Sequence, residues 1–237
     1  MAFKQFQLDD STVVTVYKRR SNRNLKLSIT PNGEVRVSIP LWAPYKAGVE
    51  FARSKQSWIQ NKRPIGGVLQ DGQAIGKAHR LKFVAGQDRI TTRIRQNEVV
   101  VGYPDSLSYD SPEVQAAAQK AGIRALRRQA EALLPQRLEV LASKHGLTFK
   151  SVTVKQMKGR WGSCDHQKNI VLNLFLMQMP WDCIDYVLLH ELTHTQVLRH
   201  GPDFWKVLEG MLPDAKSYRR TMRSYQPILR NEPQLVA

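Results

Sequence analysis

Only two cysteines occur in the chain, Cys164 and Cys183, and they form no CxxC pair. A disulfide framework and a cysteine-rich zinc site are thereby excluded, and two reduced thiols are the expectation. Long hydrophobic runs are absent too. The most apolar stretch, Ile170 to Met177, is interrupted by Asn173 and falls far short of the roughly 20 residues that a bilayer-spanning helix needs. The opening MAFKQFQLDDSTVV has neither a hydrophobic segment nor a small-residue cleavage site, so no signal peptide is read and a cytoplasmic location is expected. Glycine and proline, 14 and 12 of 237 residues, are too sparse for a collagenous or low-complexity chain.

Acidic side chains are also scarce, 20 against 36 Lys and Arg, which leaves a net charge of +16. The surplus is unevenly placed. Residues 1–110 hold 18 basic and 9 acidic side chains, residues 111–160 hold 10 and 3, and residues 161–237 hold 8 of each. A field of this sign favours nucleic acid, nucleotides or acidic proteins as partners of the basic N-terminal region.

With 42% hydrophobic residues the composition is that of a globular protein, large enough for one domain or two. An α+β organisation is expected, divided into a β-rich basic region over residues 1–110 and a helical segment plus catalytic unit over residues 111–237. Short strands are read at Thr12 to Tyr17, Leu25 to Thr30 and Glu34 to Ile39, the last two joined as a hairpin by Pro31-Asn32-Gly33. Helical spacing follows from Pro44 to Lys62, then strands at Leu81 to Val84, Arg89 to Arg95 and Glu98 to Val101. Ser111-Pro112 opens a long helix that runs to Lys144, with Pro135 expected to kink or split it. Its Lys120, Arg124, Arg127 and Arg128 make a basic stripe, read as a solvated face or as a docking face for phosphates. Two strands, Ser151 to Lys158 and Asn169 to Met177, flank the loop KGRWGSCDHQK, and helices are expected from Pro180 to Val197, Pro202 to Leu212 and Pro213 to about Tyr225.

One short run carries chemistry: His190-Glu191-Leu192-Thr193-His194, an HExxH sequence on an expected helix. Residues i and i+4 leave the same helix face one turn apart, so both imidazoles can bind one metal ion while Glu191 serves as general base without being a ligand. His200, six residues on, supplies a third ligand. Three His and a water make an open catalytic coordination, whereas Cys164 is read as a thiol rather than a fourth ligand. The HExxHxxxxxH spacing also occurs in metzincins, but Val197 stands where they carry glycine.

The sequence resembles the bacterial YgjP-like metallopeptidases, zincins distantly similar to SprT-like proteins. The likeness is dense from Lys158 to Trp205, through Arg160-Trp161-Gly162-Ser163-Cys164, Ile170-Val171-Leu172-Asn173, Asp185-Tyr186-Val187, the HExxH run, His200 and Phe204-Trp205. Over Arg23 to Pro40 and Trp58-Ile59 it is looser. The resemblance implies a zincin-like unit, one zinc ion per chain on His190, His194 and His200, Glu191 as catalytic base, and a peptide or unfolded protein as substrate. Asp165, Gly159 and Gly201 depart from the family's pattern in loops. Arg160 and Asn173 are the candidate substrate-binding residues, Phe204 and Trp205 are expected to bury against the ligand helix, and Ile170 to Leu174 is the expected edge strand for an extended peptide. Three other readings stay open: a metal-dependent nucleotide pyrophosphohydrolase, a DNA-associated SprT-like protease recruited by the basic region, and a non-enzymatic basic binding module. Manganese or iron can occupy the same three imidazoles.

Overall fold

The computed structural model describes residues 3–9, 12–29, 34–56, 58–59 and 68–229. The fold is α+β, and the chain divides into two compact units, Met1–Gly67 and Val68–Ala237. Residue 110, the expected boundary, lies inside the second unit.

In the first unit, strands β1 (Phe3–Asp9), β2 (Thr12–Arg19), β3 (Lys26–Ile29) and β4 (Val35–Pro40) form a sheet in the order β1-β2-β4-β3. The expected antiparallel pairing of β3 with β4 is present; its Pro31-Asn32-Gly33 turn lies outside the described residues. Alternation decides the buried face: Val14, Val16, Val35, Val37 and Ile39 are fully buried, while Arg36 between them is exposed. Helix α1 (Tyr45–Ser54) covers that face. It ends short of the expected Lys62, which again lies outside the described residues. Strand β1, which carries no apolar alternation, was not anticipated.

The second unit opens with a sheet of β5 (Ala74–Ile75), β6 (His79–Val84), β7 (Thr91–Arg95) and β8 (Glu98–Gly102), ordered β5-β6-β8-β7. Helix α2 (Pro112–Lys144) packs on this sheet and on a second one. A single helix runs through Pro135, so the expected split does not occur. Leu134 and Leu138 on either side of the proline are fully buried, and their packing outweighs the lost backbone hydrogen bond. The second sheet, ordered β10-β11-β9, comprises β9 (Ser151–Lys155), β10 (Gly162–Cys164) and β11 (Asn169–Asn173). A buried 3-10 turn, Leu174–Gln178, replaces the end of the long strand expected to Met177. Three helices complete the unit: α3 (Trp181–His194), α4 (Pro202–Met211) and α5 (Ala215–Ser224). Asp185 of α3 accepts two hydrogen bonds from Arg137 of α2, which ties the two helices together. No helix of the described residues is long and apolar enough to cross a membrane.

The β5–β6 turn depends on one buried side chain of α2. Gln129 Oε1 accepts from the backbone N–H groups of Lys77 and Ala78, at 2.6 and 3.2 Å, and its Nε2 donates to Ile75 O and His79 Nδ1, at 2.8 and 2.7 Å. Gly76 (φ +68°) is required here, because a Cβ would stand 2.5 Å from Gln129 Oε1. His79, which the sequence left without a partner, has one in Gln129. Burial, and then the Arg128 charge, lower its pKa.

Gln129→Leu strands two backbone donors, a carbonyl and an imidazole in the interior, and is expected to cost about 2–4 kcal/mol; calorimetric melting checks this. Because the folded pKa of His79 lies below its unfolded value near 6.5, the stability it contributes is complete above that pH and is lost as pH falls toward the folded value. Denaturant unfolding at a series of pH values should therefore show a steeper acid-side decline for the wild type than for His79→Gln.

Candidate active site

Helix α3 begins after Pro180, with Asp182 in its first turn, and it is buried nearly all round, by Ile184, Val187, Leu188, Leu189 and Leu192 among others. A helix so enclosed cannot roll, which fixes the direction of every side chain it presents. His190 and His194 leave it one turn apart, as the spacing requires. The helix stops at His194, where Thr195 Oγ1 bonds back to Leu192 O and Val197 O comes within 3.1 Å of His194 Nδ1. The chain then turns, and His200 is brought back just ahead of α4.

The three imidazoles meet. His200 Nε2 stands 3.0 Å from His190 Nε2 and 3.2 Å from His194 Nε2. Nitrogen ligands about 2.0–2.1 Å from a tetrahedral zinc ion would stand about 3.3 Å apart, so this spacing fits one ion shared by all three. The chemistry of the donors fits as well. His194 Nδ1 donates to Val197 O, which leaves the Nε2 lone pair free. Burial, followed by the charges of His194, His200 and Arg219, holds His190 down at about 3, and burial also lowers His194, so both are neutral bases at ordinary pH. No other His, Cys, Asp or Glu joins the group among the described residues. Cys164 lies outside it, and burial with the Glu191 charge pushes its thiol up to about 11, away from the thiolate that metals bind.

Phe204, in the first turn of α4, is fully buried, and its ring centroid lies 4.7–4.8 Å from those of all three imidazoles. It is the apolar wall against which the ligands are set. Trp205 contacts Phe204 edge-on and carries the Arg219 guanidinium 4.8 Å above its ring. Phe204 thus buries against the ligand helix as expected, whereas Trp205 is half-buried behind it.

Glu191 is buried, and its Oε2 has no hydrogen-bond partner among the described residues. Burial pushes its carboxyl up to about 8, opposed by the charge of Arg160. The strand that lies against it is β10: a Cβ on Gly162 would stand 2.6–2.8 Å from Glu191 Oε1, Cγ and Cδ. Only glycine lets the β10 backbone approach the carboxylate so closely.

Two expectations change here. Strand β11, expected at the sheet edge, is central, paired with β10 on one side and β9 on the other; the edge beside Glu191 is the three-residue β10. Asn173 is fully buried and donates from Nδ2 to Met157 O and Arg160 O, while its Oδ1 accepts from Phe175 N. It holds the 157–161 loop in place and exposes no group to a substrate. Arg160 is exposed, on the loop that Asn173 fixes. Sequence reasoning missed Gly162, although it lies inside the RWGSC run. It also missed Tyr186, one turn before His190 and stacked on Tyr218 with ring centroids 6.2 Å apart, and Arg219. The i, i+4 spacing from Tyr186 to His190 was the available signal; nothing local marks Arg219 among the basic residues of α5.

The model of the YgjP-like metallopeptidase domain matches residues 23–225. The chain belongs to the YgjP-like metallopeptidase family. This YgjP-like chain is also similar to the metallopeptidase zymogen abylysin of Pyrococcus abyssi, with 22% sequence identity over 42% of this chain and 99% of that one, at a TM-score of 0.36. No curated protein matches the sequence. As a member of that family the protein is a metal-dependent peptidase, and the three-histidine group is where its described residues can hold the metal.

His200→Ala, which removes one ligand and leaves α3 intact, is expected to lower metal retained after dialysis from one ion per chain to a small fraction, read by elemental analysis. Gly162→Ala should keep the metal yet displace the Glu191 carboxylate, so that peptide turnover falls by about 100-fold or more. Retained turnover with a normal melting temperature would show that Glu191 does not depend on the approach of β10.

Proposed function

We propose that this chain hydrolyses peptide bonds with one zinc ion held by His190, His194 and His200 and with Glu191 as general base. The observation that carries the reading is the convergence of three imidazole Nε2 atoms, next on the helix to a buried carboxylate with one unpartnered oxygen. Zinc suits three imidazoles, whereas magnesium and calcium favour oxygen ligands. When bound, the ion supplies an acidified water and a Lewis acid for the substrate carbonyl.

The chain's own groups do the rest. Phe204 and the enclosed α3 hold the ligands rigidly, and the His194–Val197 hydrogen bond keeps one of them in the required tautomer. Glu191 accepts a proton at Oε2 and returns it to the leaving amine nitrogen. The exposed edge of β10 offers backbone groups to an extended peptide, which would lie alongside the strand that covers Glu191. Arg160, exposed and electrostatically linked to Glu191, is placed to meet a substrate carboxylate.

Incubating zinc-loaded protein with an unfolded protein and nucleoside triphosphates together separates this reading from phosphoanhydride hydrolysis. Peptide fragments are expected in mass spectra from the wild type. From Glu191→Gln they should fall by about 10²–10⁴-fold while the metal content stays unchanged. Nucleoside monophosphate and pyrophosphate without peptides would overturn the proposal.

A further inference from the structure

We propose that the open face of the β5–β8 sheet is a docking surface for the phosphodiester backbone of a nucleic acid. One face of this sheet packs on α2 through Leu81, Val99 and Val101, all buried. Strand alternation turns their neighbours the other way. There Lys82, Val84, Arg93, Arg95, Glu98 and Val100 are among the residues lining a depression of about 240 Å³. Lys82, Arg93 and Arg95 are exposed. Lys82 meets Glu98 at 3.5 Å, while neither arginine is paired with a carboxylate among the described residues.

Arg93 and Arg95 project to the same face of β7, about 6.6–6.8 Å apart along the strand, a separation comparable to that of successive phosphates on one nucleic-acid chain. Each guanidinium presents a planar fork that matches two phosphate oxygens. The cations do not stop at the sheet. Strand β7 is its edge, and there Arg124 of α2 donates from Nη2 to Thr92 Oγ1 at 2.6 Å. Exposed Lys120 lies one turn earlier on the helix. Thr92 pairs with Val101 and so faces α2, which places these two α2 cations at the same sheet edge but on the side opposite the depression. No aromatic side chain lines the depression, so bases have nothing to stack on, and contacts to the backbone are the interaction the face can make. Three cations with one carboxylate on this face, on a chain of net charge +16, match a polyanion better than a single acidic side chain.

The test is fluorescence anisotropy of the full-length protein with a labelled DNA duplex two helical turns long, titrated between about 50 and about 200 mM salt. Arg93→Gln/Arg95→Gln is expected to weaken binding about tenfold or more at low salt. It should also reduce the slope of log affinity on log salt by about 2, since each phosphate contact contributes about 0.9. The melting temperature and the cleavage of a peptide substrate should be unchanged. Unaltered affinity and slope in the double arginine variant would overturn the proposal. So would displacement of the duplex by poly-glutamate of equal charge at equal concentration, which would assign the face to acidic peptides.

Discussion

Holding the His200 Nε2 3.0 and 3.2 Å from those of His190 and His194 is the constraint around which the second unit is built. Lone pairs at that spacing repel, and two of the rings also give up much of their hydration. Apolar burial supplies the opposing term. Phe204 touches all three rings and is itself fully buried, which contributes roughly 1.5–3 kcal/mol, and α3 is wedged among α2, α4 and the β10-β11-β9 sheet. The ligands are thus positioned by packing rather than by one another. A metal ion that fits the spacing replaces the repulsion with attraction, so the apolar frame and the ion stabilise the same arrangement.

Glu191 is held by a related device. A carboxylate withdrawn from water without partners is costly, and here the cost follows from the approach of β10, where the Glu191 carboxylate occupies the space a side chain on Gly162 would need. The same approach places an open strand edge beside the base. In the proposed mechanism one glycine therefore couples two requirements of peptide hydrolysis, a desolvated base and a strand on which an extended chain can lie. Asn173 supports the coupling from behind by fixing the carbonyls of Met157 and Arg160 at the entrance to β10.

Most of the architecture could be read from local patterns. The alternations of β4 and β8, the helix start at Ser111-Pro112 and the HExxH run with His200 each depend on residues close in sequence, and each stands where it was expected, although the Ser111 hydroxyl makes no capping hydrogen bond. What could not be read depends on distant partners or on weak periodicity. Strand β1 buries only Leu8, and β10 is three small residues that become a strand only because β11 is there to pair with. Gln129 looks like one more polar residue on a helix until a turn some fifty positions earlier folds onto it. Asn173 looked available for substrate because nothing nearby in sequence shows that two carbonyls before β11 use up its amide group. The aromatic pair Phe204-Trp205 was legible because it follows the third ligand directly.

The distribution of charge separates the chemistry from the rest of the surface. For His190, Glu191, His194 and Cys164 alike, the largest cause of the altered pKa is burial, and the nearby charges of Arg160 and Arg219 come after it. Charges farther off are screened within about 10 Å in ordinary salt, so burial is what sets these four groups. A sequence can then vary its surface charge, and with it the anions it attracts, without retuning the base or the ligands. This arrangement keeps the buried site dependent on shape and the cationic sheet face dependent on salt.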